Sequence, residues 1–141
     1  MRAVFFGLML IARCSVAAPY EQCFNGAAAF HHVNSLVLTS IAKVESNYNP
    51  AAINRNRNGT YDYGLMQINS SWFPELRRWG VDPGVLRDPC ANIYIGAWIL
   101  SKSMWKYGNT WHAVGAYNTG APSATGDKYA YRVWREIMHA R

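Results

Sequence analysis

The chain has 141 residues, 50% of them hydrophobic, 16% charged and 14% aromatic, a length and balance that predict one compact domain and exclude a disordered tail. Lys and Arg total 14 against eight Asp and Glu, a formal charge of +6, which favours anionic surfaces such as nucleic acid, a membrane surface or an acidic cell-wall polymer. The basic residues fall singly or in pairs (Arg55 and Arg57, Arg77 and Arg78, Arg132 and Arg135), and the absence of long basic runs argues against nucleic acid as the partner.

At the N-terminus, Arg2 precedes an apolar run from Ala3 to Ala12 and then the small residues Ser15, Val16, Ala17 and Ala18. This is the pattern of a secretory signal, here residues 1–17, and the run is too short to span a bilayer. No stable membrane insertion is expected once it is removed. The alternative is a buried N-terminal helix. Cleavage after Ala17 takes Cys14 with the signal and leaves Cys23 and Cys90. In an exported chain these predict a disulfide closing a large loop, a stabilisation on the order of 4 kcal/mol. Two buried free thiols are the alternative if the chain is not exported.

Residues 18–141 contain no internal repeat, low-complexity stretch or dividing linker, so one domain and a monomer are expected. Val37, Leu38, Ile41 and Val44 recur at helical spacing between a capping Asn34 and the stop residues Asn47 and Pro50, predicting a buried helix that ends near Glu45. Asn58-Gly59 between short polar and aromatic stretches predicts a small β-hairpin. Asp88-Pro89 opens the clearest helix, nearly apolar throughout and stopped by Gly108. A short helix from Asn109 or Thr110 through Tyr117, and a last one over roughly Lys128 to Met138, complete a mostly helical domain with at most one small sheet.

Glu45 is the first candidate for chemistry. A carboxyl group in the last turn of an apolar helix is poorly solvated and faces the negative end of the helix dipole, and both effects oppose ionisation. That is the environment of a general acid near neutral pH. By position alone, an exposed Glu45, or one hydrogen-bonded to Ser46 or a tyrosine, is equally compatible.

The segment from Val44 to Trp72 resembles the catalytic region of the lysozyme superfamily. Glu45-Ser46 is similar to the ES motif of soluble lytic transglycosylase domains, Gly64-Leu65-Met66-Gln67-Ile68-Asn69 to their GLMQ segment, and Ala116-Tyr117-Asn118 to their AYN motif, all in the family's order. The Asp88 to Cys90 and Gly96 to Leu100 segments are similar to small specialised members that accompany type III secretion, type IV pilus and conjugation machines. The resemblance runs from about Cys23 onward. It implies an α+β lysozyme-like fold with the hairpin beside a sugar cleft, a periplasmic location, and peptidoglycan glycan strands as substrate. Components of an envelope-spanning machine are the implied partners. Residue by residue, it implies Glu45 as catalytic acid and base, Ser46 as orienting it or the substrate, Gln67 and Tyr117 as contacting Glu45 or the sugar, and Met66, Asn69 and Asn118 as lining substrate subsites. Gly64 is read as serving close backbone approach.

Asp62 complicates the mechanism. It precedes Tyr63-Gly64 and lies 17 residues after Glu45, a pattern similar to animal-type lysozymes, where a second carboxylate follows the acid. Two carboxylates permit retaining hydrolysis, whereas a lytic transglycosylase needs only Glu45 and closes a 1,6-anhydro ring on N-acetylmuramic acid. With two cysteines rather than a rich disulfide framework, and with the AYN motif, the sequence favours the transglycosylase. That leaves Asp62 as electrostatic support or as a turn cap in the hairpin. A peptidoglycan-binding assembly factor with dispensable catalysis is the reading from another class. Adjacent His31 and His32 cannot share an ion on a helix, and His112 and His139 lack partner ligands, so no metal and no cofactor are expected. Among the tryptophans, Trp72 is the one expected near the cleft.

Overall fold

The computed structural model describes residues 20–140; the signal expected over residues 1–17 and the expected domain start at residue 18 lie outside the described residues. Helix α1 (Glu21–His31) leads by a short turn into α2 (Ser35–Ser46). Asn34 caps α2 as its sequence predicts, its side-chain oxygen accepting from the Leu36 and Val37 amides at 2.9 and 3.1 Å. Asn47, left-handed at φ 52°, ends it.

The chain then forms β1 (Ile53–Arg55), β2 (Tyr61–Tyr63) and β3 (Ile68–Asn69), an antiparallel sheet in that order with Ile53 opposite Tyr63 and Tyr63 opposite Ile68. The hairpin expected at Asn58-Gly59 is therefore the first two strands of three. The Gly64 to Asn69 segment folds back because Ile68 is drawn into the core, where it is 1% exposed. A short α3 (Phe73–Arg78) and two 3-10 turns, Ser70–Trp72 and Pro83–Arg87, follow. These lack the periodicity that marks longer helices in sequence.

Helix α4 (Pro89–Tyr107) is central, with Ile93, Ala97 and Leu100 fully buried and Asp88 capping it through a 2.7 Å bond from the Ala91 amide. Helix α5 (Trp111–Thr119) starts at the Thr110 cap. Helix α6 (Ala124–His139) begins a turn earlier than its sequence predicts, because the Ser123 hydroxyl accepts from the Gly126 amide at 3.1 Å and offsets the poor propensity of Thr125, Gly126 and Asp127. Leu38 and Ile41 of α2, the apolar face of α4 and Val133 of α6 form one core; each such burial contributes about 1.5–3 kcal/mol. Cys23 and Cys90 form a disulfide that joins α1 to the first turn of α4, with Cα atoms 5.3 Å apart.

One crossing positions the site. Where α5 meets α6, a Cβ on Gly115 would lie 2.6 Å from the Gly126 carbonyl oxygen, so two bare glycines let the backbones touch. Asn118 of α5 and Tyr129 of α6 are thereby brought to the end of α2. Among the described residues no helix is long and apolar enough to cross a membrane.

Candidate active site

A cleft of about 740 Å³ lies between the end of α2, the sheet and α5. Glu45 enters it from α2, Asp62, Gln67 and Asn69 from the sheet side, Tyr117 and Asn118 from α5, and Trp72 from the 3-10 turn. The three sequence motifs thus meet around one space, although their first and last members are more than 70 residues apart in the chain.

The Glu45 carboxyl is pushed up to about 7 by burial, and the negative charge of Asp62 adds to the rise. Hydrogen bonds from Tyr129 and Asn118 and the positive charge of Arg132 pull it partly back. The Tyr129 hydroxyl donates to Glu45 Oε1 at 2.6 Å. Tyr129 itself is held protonated, raised well above the ordinary tyrosine value by burial and then by the charge of Glu45. It is therefore a permanent donor at any pH where the carboxyl titrates. A group poised near 7 can give a proton and take one back, which is the requirement for a residue acting first as acid and then as base.

Asp62 lies within β2 rather than in the hairpin turn, so the turn-cap expectation is corrected: its carboxylate faces the cleft. Asn56 Nδ2 donates to Oδ2 at 2.9 Å and Asn69 Nδ2 to Oδ1 at 2.7 Å. Both amides also reach the Thr60 hydroxyl, at 3.1 and 3.0 Å. Asp62 is consequently a carboxylate with each oxygen engaged and its orientation fixed.

The remaining expected site residues divide into cleft and scaffold. Asn118 lines the cleft and favours the ionised form of Glu45. Asn69 lines it while its amide holds Asp62. Gln67 lines it too, but its amide donates to the Gly64 carbonyl at 2.9 Å and accepts from Asn54 at 2.6 Å, stabilising a left-handed backbone at φ 49°. The Tyr117 hydroxyl, expected at Glu45 or the sugar, instead donates to the Met66 carbonyl at 2.7 Å. Ser46 acts on the backbone, donating to the Leu65 carbonyl at 2.8 Å and so tying the end of α2 to the Gly64 to Asn69 loop. Met66, expected to line a subsite, is corrected: its side chain is 0% exposed and packs on Gly96 in the core.

Two residues outside the sequence motifs prove central. Tyr129 reads in sequence as one apolar position of an amphipathic helix, with Val133 and Ile137, and its hydroxyl partner is set only by the α5–α6 crossing. Asn92 is fully buried in α4, accepting from the Met66 amide at 2.8 Å and donating to the Tyr63 and Leu86 carbonyls at 2.9 and 3.1 Å. A lone amide inside an apolar helix was its sequence signal, since such a group is buried only when bonded. Gly64 is left-handed at φ 74°, and a Cβ there would lie 2.3 Å from the Asn92 amide nitrogen, which is the close approach expected of it.

The profile of the transglycosylase SLT domain matches residues 22–138. The chain belongs to that family. As an SLT member it is a peptidoglycan lytic transglycosylase with a lysozyme-like fold. Invasion protein IagB of Salmonella typhimurium is 38% identical to it over 134 residues, covering 92% of this chain and 84% of that protein. Protein IpgF of Shigella flexneri is 38% identical over 121 residues, covering 83% and 80%. Two solved structures share the fold at a TM-score of 0.60 and 24% identity. They are an inactive variant of the lytic transglycosylase Slt from Pseudomonas aeruginosa and the 70 kDa soluble lytic transglycosylase Slt70 from Escherichia coli. Each match covers 84% of this chain, which spans 20% and 19% of theirs.

Proposed function

We propose that the protein cleaves the β-1,4 bond between N-acetylmuramic acid and N-acetylglucosamine in peptidoglycan, without water, leaving a 1,6-anhydro-N-acetylmuramic acid end. The observation that carries this reading is a single carboxyl, Glu45, poised at about 7 and hydrogen-bonded by Tyr129 in the cleft wall. Protonated Glu45 gives its proton to the glycosidic oxygen as that bond breaks, and the fixed carboxylate of Asp62 offsets positive charge developing on the sugar. Glu45, now ionised and steadied by Tyr129, Asn118 and Arg132, takes the proton of the C6 hydroxyl while its oxygen closes on C1. The proton returns to Glu45 and atoms balance with no water consumed.

Retaining hydrolysis, with Asp62 as nucleophile, is the second reading, because Asp62 shares the cleft. Against it, an attacking oxygen of Asp62 would give up or share the hydrogen bond that orients it. We further propose that the protein works outside the cytoplasm after loss of residues 1–17 and opens the wall for an envelope-spanning apparatus. The name of its relative, an invasion protein, supports that setting.

Mass spectrometry of soluble products from purified peptidoglycan tests the mechanism, with Glu45→Gln as control. Muropeptides lighter by one water are expected from the wild type and none from the variant. Reducing-end products would establish the hydrolytic reading. Glycan binding with no cleavage would favour an assembly factor with dispensable catalysis.

A further inference from the structure

Helix α6 is apolar on two sides. Its inner side, with Tyr129, Val133 and Ile137, is buried in the core. Its outer side carries Tyr131, Trp134 and Met138, which are 59%, 39% and 46% exposed. They follow one another at intervals of three and four residues, so at 3.6 residues per turn they fall within an arc of about 60° and form a single line two turns long. Tyr131 and Trp134 stack with centroids 5.5 Å apart and planes inclined by 22°, which holds both rings in place on the helix surface. Beside that line is a groove of about 410 Å³, lined by Trp111 and His112 of α5 and by Asp127, Ala130, Tyr131 and Trp134 of α6.

The charge beside this line has one sign. Lys128 and Arg135, both exposed, take the next positions round the helix from Tyr131, one a turn before it and one a turn after. Among the described residues neither is in an ion pair. The carboxylates of α6 do not offset them. Asp127 lies 2.8 Å from His112 Nδ1, and Glu136 is on the opposite side of the helix, near Tyr48, whose hydroxyl is raised by burial and then by the charge of Glu136. Apolar residues three and four apart, with like charge along one edge, are the pattern of one member of a helix pair, in which the apolar positions mesh and the edge selects the partner by charge. The line is narrower than the face of about 100° or more that beds a helix on a core or in a bilayer surface. A second copy of the chain fits poorly, because antiparallel pairing on this line would bring two basic edges together.

We propose that the outer face of α6, with the α5 wall, docks a helix of another protein that bears an apolar seam and an acidic edge. Tyr131, Trp134 and Met138 mesh with the seam, the groove beside Trp111 takes one of its side chains, and Lys128 and Arg135 face its carboxylates. Rings already stacked before the partner arrives lose little freedom on binding, which is what makes such residues effective anchors. None of these residues lines the cleft, so the inference stands apart from the reaction proposed there.

The test measures, by fluorescence anisotropy, the binding of two synthetic helical peptides of about three heptads, each with a Leu seam, one edged with Glu and the other with Lys. Wild type is expected to prefer the Glu-edged peptide by about tenfold or more, and Trp134→Ala to weaken that binding by about tenfold. Lys128→Glu/Arg135→Glu should reverse the preference, whereas the same change of charge at Arg77 and Arg78 of α3 should leave it as it is. The charge-reversed variant keeps every apolar residue, so it decides the matter even if circular dichroism shows Trp134→Ala to be unfolded. Equal affinity for the two peptides, binding of neither, or a preference that survives reversal at Lys128 and Arg135 overturns the proposal. Binding to vesicles of phosphatidylglycerol and phosphatidylcholine that is lost in Trp134→Ala, with neither peptide bound, would give the face to lipid. A dimer in sedimentation equilibrium that Trp134→Ala dissociates, again with neither peptide bound, would give it to a second copy.

Discussion

Replacing Glu45 by Gln removes the ionisation but keeps an oxygen for Tyr129, and its effect on stability should depend on pH in one direction only. In the unfolded chain Glu45 titrates near its ordinary 4.5, and in the folded one near 7. Folding thus favours the protonated carboxyl: its contribution is full below pH 4.5 and is lost as pH rises through 7. The gap converts to about 3 kcal/mol at about 1.36 kcal/mol per tenfold. For a domain of this size that is a shift of about 10 °C in melting temperature. Thermal melts by circular dichroism from pH 4 to 8.5 should show the two proteins parting as pH rises, with Glu45→Gln more stable by that amount at pH 8 and no such growing gain below 4.5. The same ionisation removes the catalytic proton, so wild-type kcat/KM should fall tenfold per pH unit above about 7. A melting difference that is constant across pH, or that grows toward acid, would refute the assignment of a raised Glu45.

Tyr129→Phe deletes a hydrogen bond to the charged form of Glu45, worth about 1.5–3 kcal/mol, so the alkaline limb of kcat/KM should move up by about one pH unit or more; an unmoved limb would show that Tyr129 only packs. Asp62→Asn removes a charge that raises Glu45, so the limb should move down while the anhydro product persists at reduced rate. A loss as complete as that of Glu45→Gln, read in the same digestion assay, would promote Asp62 to an essential group. Gly64→Ala combines a left-handed backbone with a 2.3 Å approach to the Asn92 amide and should cost about 2–4 kcal/mol in urea unfolding; an unchanged midpoint would contradict the packing described. The Cys23→Ser/Cys90→Ser double variant opens a 67-residue separation and should lose about 4 kcal/mol, and a melting temperature equal to wild type would show that the bridge contributes nothing.

The helical frame was legible in sequence wherever a local rule acts alone. Asn34 and Asp88 cap because their side chains reach amides two or three residues on, and Gly108 ends α4 because its φ of 77° costs glycine little. Glu45 was legible as a poised acid because burial and motif coincide on one residue. What sequence did not determine is set by contacts between distant segments. Tyr129 reaches Glu45 across 84 residues only because Gly115 and Gly126 let α5 and α6 touch. Tyr117 lies in a sugar-cleft motif, yet its hydroxyl goes to the Met66 carbonyl 51 residues away, and Met66 itself turns into the core because Gly96 leaves a space of its shape. The order of motifs along the chain says which residues belong to the site; which of them face the substrate space and which hold the wall is decided by where each polar group finds its partner once water is excluded.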